Sequence, residues 1–154
     1  MNYEELLKQA QSLMASQPNR IALLSNASAF LYEVIENLNW VGFYLLEKDV
    51  LTVGPFQGKV ACSLIPLGKG VCGEAAKTRQ TMVIDDVHRH ENHIACDALS
   101  ASETVVPIVI GNRLFGVLDV DSPQLARFDS SLVRFLEDFV ALLVKIIDKS
   151  HPIV

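Results

Sequence analysis

Long hydrophobic runs are missing from this chain of 154 residues. None approaches the roughly 20 apolar residues that span a bilayer. The first residues, MNYEELLKQAQSLM, carry two glutamates where a secretory signal has its apolar stretch. A cytoplasmic protein without a membrane partner is therefore expected. Basic clusters are missing too. Lys and Arg number 13 against 18 Asp and Glu, a net charge of -5, and the sequence pI is about 5.3. The electrostatic footprint of a nucleic-acid binder is absent. Cysteine is scarce: Cys62, Cys72 and Cys96 are an odd number and contain no CxxC pair. That argues against a disulfide framework and suits a reactive set of thiols in a reducing compartment. Repeats, linkers and low-complexity tracts are also lacking.

What is present is core material. Half of the residues are hydrophobic and a fifth are charged, with a mean hydropathy of +0.28, enough to fill one compact domain over residues 1–154. Residues 3–15 have helical spacing. Pro18 interrupts, and a second helix is expected over about 19–37, with Ile21, Leu24, Phe30, Leu31, Val34 and Ile35 on its apolar face. NWVGFYLLEKDVLTVGPFQG reads as a hairpin, strands about 40–47 and 50–57, turning at Lys48-Asp49. Period two puts Trp40 and Tyr44 on one face and Val41, Phe43 and Leu45 on the other, and Gly42 between the aromatics leaves room against them. A glycine loop at 68–70 precedes a short helix over 71–78. TMVIDD is a short strand. DVHRHENHIACDALSAS has no clear period, and an irregular segment that long is often functional. ETVVPIVIGNRLFGVLDVDS is a hairpin about Gly111-Asn112, with Pro107 suggesting an edge strand or a position without a ladder bond. A last helix begins near FDSSLV. Asp129 can cap it, and Leu132, Phe135, Leu136, Phe139, Leu143 and Ile146 form its apolar face. Hairpins with helices at both ends specify an α+β domain on a central antiparallel sheet.

Four groups of residues could carry chemistry. The three cysteines could each be a small buried hydrophobe. Two thiols, however, are what a redox cycle needs: a thiolate that takes an oxygen atom becomes a sulfenic acid, and a second thiol condenses with it. His88, His90 and His93 precede Cys96, which raises a zinc site. Their spacing matches no paired zinc signature and a structural zinc closes with four ligands, so a solvated loop is favoured, or a histidine that lowers the pKa of Cys96. Asp119 and Asp121 share a strand face with Phe115 and Val117, either fraying into solvent or forming a cation site. Strict pairing about Gly111-Asn112 sets Asp119 opposite Thr104, so Glu103 joins the two aspartates only if the chain bends. Trp40 and Tyr44 are core residues or an aromatic wall for a methyl or sulfur group.

The stretches NWVGFYLL, GPFQGKVAC, GKGVCGEAA, HIACDALSASE and GVLDVDS span about residues 40–122. Together with the flanking helices they resemble the free methionine-R-sulfoxide reductases of the GAF-domain superfamily. The intervals of 10 and 24 from Cys62 to Cys72 to Cys96 are the specific part of the likeness. The resemblance implies a GAF-like α+β fold and reduction of free methionine-R-sulfoxide to methionine. It makes Cys96 the nucleophile, Cys62 the resolving thiol and Cys72 the third member of the set. Trp40 and Tyr44 would line the methyl pocket, while Glu103, Asp119 and Asp121 would hold the sulfoxide oxygen and the amino group. Thioredoxin would recycle the thiols, no metal or organic cofactor would be needed, and the assembly would be a homodimer. A non-catalytic sensing GAF module is the alternative, weighed down by a chain expected to leave no room for an output domain after its last helix.

Overall fold

The computed structural model describes residues 1–17, 19–94, 96 and 98–150, with residues 149 and 150 described by backbone alone. Pro18 thus lies outside the described residues. Four helices and six strands run in the order α1 (Tyr3–Ala15), α2 (Arg20–Val34), β1 (Trp40–Glu47), β2 (Val50–Gly58), β3 (Leu64–Pro66), α3 (Gly70–Thr78), β4 (Met82–Ile84), β5 (Ser102–Ile110), β6 (Arg113–Ser122) and α4 (Ser130–Ser150). A single 3-10 turn, Val87–Arg89, lies between β4 and β5. All neighbouring strands pair antiparallel in the order β3-β2-β1-β6-β5-β4. This is the expected α+β architecture.

Local chemistry sets the ends of the elements. Asn2, Asn19 and Asp129 each accept a hydrogen bond from the backbone N–H three residues on, at 3.1, 2.8 and 2.8 Å, which satisfies one orphan donor of α1, α2 and α4. Helix α2 stops at Val34 rather than 37. Ile35 is already extended and Asn37 takes a left-handed φ of 62° that only a few side chains tolerate. Ile21, expected on the apolar face of α2, is 73% exposed, because it falls in the first turn, ahead of the buried stripe of Leu23, Leu24, Ala27 and Leu31.

The sheet separates two apolar layers. On one face α2 and α4 pack over Val41, Phe43, Val106, Ile108, Leu118 and Val120, and α1 packs against those two helices. On the other face α3 packs alone over Trp40, Tyr44, Leu51, Ile65, Val105 and Val117. The alternation read from β1 is therefore correct. The room foreseen beside Gly42 is not open: an added Cβ there would run into the Cβ of Phe56, and Phe56 stacks on Trp40 with ring centroids 5.0 Å apart.

One irregularity in the β5–β6 hairpin decides the geometry of the site. At the turn end Ile110 pairs Arg113 and Val109 pairs Leu114, but Ile108 pairs Gly116. Phe115 is the extra residue of a bulge. It joins the helical core instead of the face of Val117, where strict alternation had put it. Beyond the bulge every partner is displaced by one, so that Asp119 faces Val105, not Thr104, and Asp121 faces Glu103. Pro107 lies in β5, a strand flanked on both sides, but past the three residues, 103–105, that β4 pairs.

Candidate active site

The site forms where α3 and the segment before β5 cover the second sheet face. Because side chains alternate, the shifted register points Glu103, Asp119 and Asp121 to the α3 side, where they line one pocket with Trp40, Tyr44 and Cys72. All three carboxyls are at least nine-tenths buried. No Lys or Arg is among the residues lining the pocket. Burial drives the Glu103 and Asp119 carboxyls well above the ordinary carboxylate range, and the neighbouring carboxylates push the same way. The shift favours the protonated form of Glu103 and of Asp119. Asp119 hydrogen-bonds Glu103, Asp121 and the thiol of Cys72, while its Oδ1 is buried with no hydrogen-bond partner among the described residues.

The aromatics hold the opposite wall. Trp40 and Tyr44 stack at 5.7 Å between ring centroids. Trp40 donates from Nε1 to the Lys59 carbonyl at 3.1 Å, and Tyr44 donates from its hydroxyl to the Cys62 carbonyl at 3.0 Å. These bonds satisfy the polar ends of two buried rings and fix the backbone that carries Cys62.

The long irregular segment is a loop with a closed neck. Val87, fully buried, donates its N–H to the Ala101 carbonyl at 2.8 Å, so residues 88–100 leave and return at one point. The N-terminal half of that loop is tied to α3 and to the turn before it. His90 Nε2 meets Glu74 Oε2 at 2.6 Å, and Asn92 donates to the Gly68 carbonyl at 2.8 Å. Ile94 rests on Gly70, where an added Cβ would stand 3.1 Å from its side chain. Next along the loop is Cys96, bonded to Cys62, with Cα atoms 5.5 Å apart. Cys72 remains a free thiol. It is buried in the first turn of α3, 4% exposed, and burial together with the nearby carboxylates pushes its pKa well up.

Of the eight residues that the resemblance assigns to the site, seven line one pocket and the eighth, Cys62, is bonded to one of them, Cys96. The three histidines do not converge as a metal set. His90 pairs with Glu74, while His88 and His93 contact each other edge to face. Among the described residues, the group with metal-binding geometry is Cys72, Glu103 and Asp119. His93, weighed from the sequence only as a zinc ligand or a tuner of Cys96, lines the pocket, whereas Glu74, Asn92 and Ile94 were not foreseen as parts of the site. Their only sequence signal is that they lie in or against the stretch carrying Cys96.

The sequence profile of the GAF domain matches residues 5–147. Over 94% of this chain and 88% of its own length, the free methionine-R-sulfoxide reductase of Escherichia coli is 48% identical to it. The chain belongs to the GAF-domain family, among the free methionine-R-sulfoxide reductases. Two solved structures extend the likeness. The fRMsr of Staphylococcus aureus in its reduced form superposes with a TM-score of 0.91 at 51% identity, covering 95% of each chain. The free methionine-R-sulfoxide reductase of Neisseria meningitidis, in complex with its substrate, gives 0.93 at 43% identity, covering 99% of this chain and 92% of that one. No described helix of this reductase-family chain is long and apolar enough to cross a membrane.

Proposed function

We propose that this protein, acting as a single GAF-like domain over residues 1–154, reduces free methionine-R-sulfoxide to methionine, and that Cys96 is the nucleophile. The observation that carries the reading is that Cys96, bridged to Cys62, lines the same pocket as three buried carboxyls and two stacked aromatics. The Cys96 thiolate attacks the sulfoxide sulfur. A protonated member of the Glu103–Asp119–Asp121 group gives its proton to the oxygen as the S–O bond breaks. The hydroxyl passes from the substrate sulfur to the Cys96 sulfur as the transient bond between the two sulfurs breaks; its electron pair goes to methionine, and Cys96 is left as a sulfenic acid. The Cys62 thiol attacks the sulfenic sulfur, forming the disulfide and releasing water. An external dithiol, thioredoxin by chemical class, then exchanges with the bridge and leaves two thiols and its own disulfide. Cys72 takes no part in this electron flow.

The substrate's ammonium group is assigned to the carboxylates and its methyl group to the Trp40–Tyr44 wall. A methionine sulfoxide whose nitrogen is in a peptide bond lacks that ammonium, which disfavours residues within a protein chain. A cytoplasmic location and a homodimer complete the reading. Incubation of the purified protein with free methionine-R-sulfoxide and dithiothreitol should release methionine, measured by chromatography. No methionine formed would sink the enzyme and leave a ligand-sensing module.

A further inference from the structure

We infer that the pocket also binds a thiophilic divalent cation such as Zn²⁺, held by the Cys72 sulfur and by carboxylate oxygens of Glu103 and Asp119. One ligand atom from each of these residues lies within 4.8 Å of the other two. Donors around a tetrahedral zinc, with bonds of about 2.3 Å to sulfur and 2.0–2.2 Å to oxygen, stand about 3.6 Å apart. Side-chain rotations of about 1 Å therefore close the set. A second, independent feature points to a ligand. Asp119 lines the pocket at 6% exposure, and its buried Oδ1 has no hydrogen-bond partner among the described residues. Cys72 is the buried nucleophile that the reductase cycle leaves unused, and it already donates its S–H to Asp119.

The donor set selects the ion. A thiolate beside two carboxylates disfavours Mg²⁺ and Ca²⁺, which take oxygen ligands, and suits zinc or cobalt. Three protein ligands leave a fourth position for water. The pocket supplies no lysine or arginine to repel a cation. The ion takes the thiolate and carboxylate forms of these ligands, so it competes with protons for them. Affinity therefore falls as pH falls.

The disulfide makes a clean test. With Cys62 and Cys96 bridged, Cys72 is the only thiol of the three cysteines. The bridged protein, titrated with Co²⁺, is expected to take up one ion per chain and to show both the intense visible bands of tetrahedral cobalt and a thiolate-to-cobalt charge-transfer band. Cys72→Ser should lose the charge-transfer band, and Asp119→Asn and Glu103→Gln should each lose the retained ion. Circular dichroism of each variant confirms its fold, and the two carboxylate variants stand in should Cys72→Ser fail to fold. Cobalt bound without the charge-transfer band, cobalt retained by both carboxylate variants, or no cobalt retained would each overturn the site. Competitive inhibition by Zn²⁺ is also expected, because the same carboxylates are assigned to the substrate. That consequence rests on the proposed function. Cobalt colour without zinc inhibition would count against the substrate's placement and leave the cation site standing.

Discussion

At the scale of single residues, two thiols that look alike in sequence have opposite surroundings. Cys96 is carried by a loop and bridged to Cys62, whereas Cys72 is shut beneath α3 against acids. Cys96→Ser should therefore abolish methionine formation. Cys62→Ser should still give one equivalent of methionine per chain and then stop when thioredoxin is the reductant. Full recycling by the Cys62 variant would transfer the resolving role to Cys72. The acids make a second prediction. Asp119 binds its proton more tightly in the folded chain than at its ordinary value of 3.8. Its contribution to stability is fully favourable only below that value and is lost as pH rises through the raised one. Asp119→Asn should thus raise the melting temperature at pH 7, with the difference shrinking toward pH 4, while activity falls. An unchanged pH–stability profile would mean that Asp119 is an ordinary carboxylate.

At the scale of elements, the loop from 88 to 100 is held by its anchors on α3. Asn92 and the His90–Glu74 pair fix the chain just ahead of Cys96. Asn92→Ala and Glu74→Gln should slow formation of the Cys62–Cys96 bridge after a single turnover, seen as lost thiols in a quenched time course. Far-UV circular dichroism should not change, since the anchors lie outside the helices' own hydrogen bonds. Bridge formation at the wild-type rate would make the anchors decorative. Most of the fold was legible at this scale, because the hairpins at Lys48-Asp49 and Gly111-Asn112 carry turn residues and β1 alternates cleanly. The bulge at Phe115 was not. An extra residue in a strand leaves no composition signal, and Phe115 fits either face by hydropathy. Yet that bulge is what sets Glu103 across from Asp121. The acids were thus recognisable by type, while their convergence depended on a backbone detail. Strand β3 escaped for a related reason: its three residues are too few to display a period. The contact of His90 with Glu74 joins residues sixteen positions apart, and no local pattern announces it.

At the scale of the whole molecule, the sheet divides labour. The three-helix face carries the larger apolar layer, and the α3 face carries the pocket with the buried acids and Cys72. Phe139 is fully buried in the helical layer, against Phe30 and Phe135. Phe139→Ala should cost about 3–5 kcal/mol of stability with little change in kcat/KM while the protein stays folded. A large loss of kcat/KM below the melting transition would show that the two faces are coupled.

The bridge from Cys62 to Cys96 spans a sequence separation of 34 residues, and that span includes β3, α3, β4 and the anchored half of the loop. Closing a loop of that length removes unfolded-state entropy worth about 3–4 kcal/mol in the chain-entropy account. Each turnover would then carry the protein between a cross-linked form and an open one, and its resistance to heat would rise and fall with its oxidation. A melting curve taken under a series of thiol–disulfide buffers should move upward in step with bridge formation. The protein's own thermostability would then serve as a gauge of how fast its reductant keeps pace with its substrate.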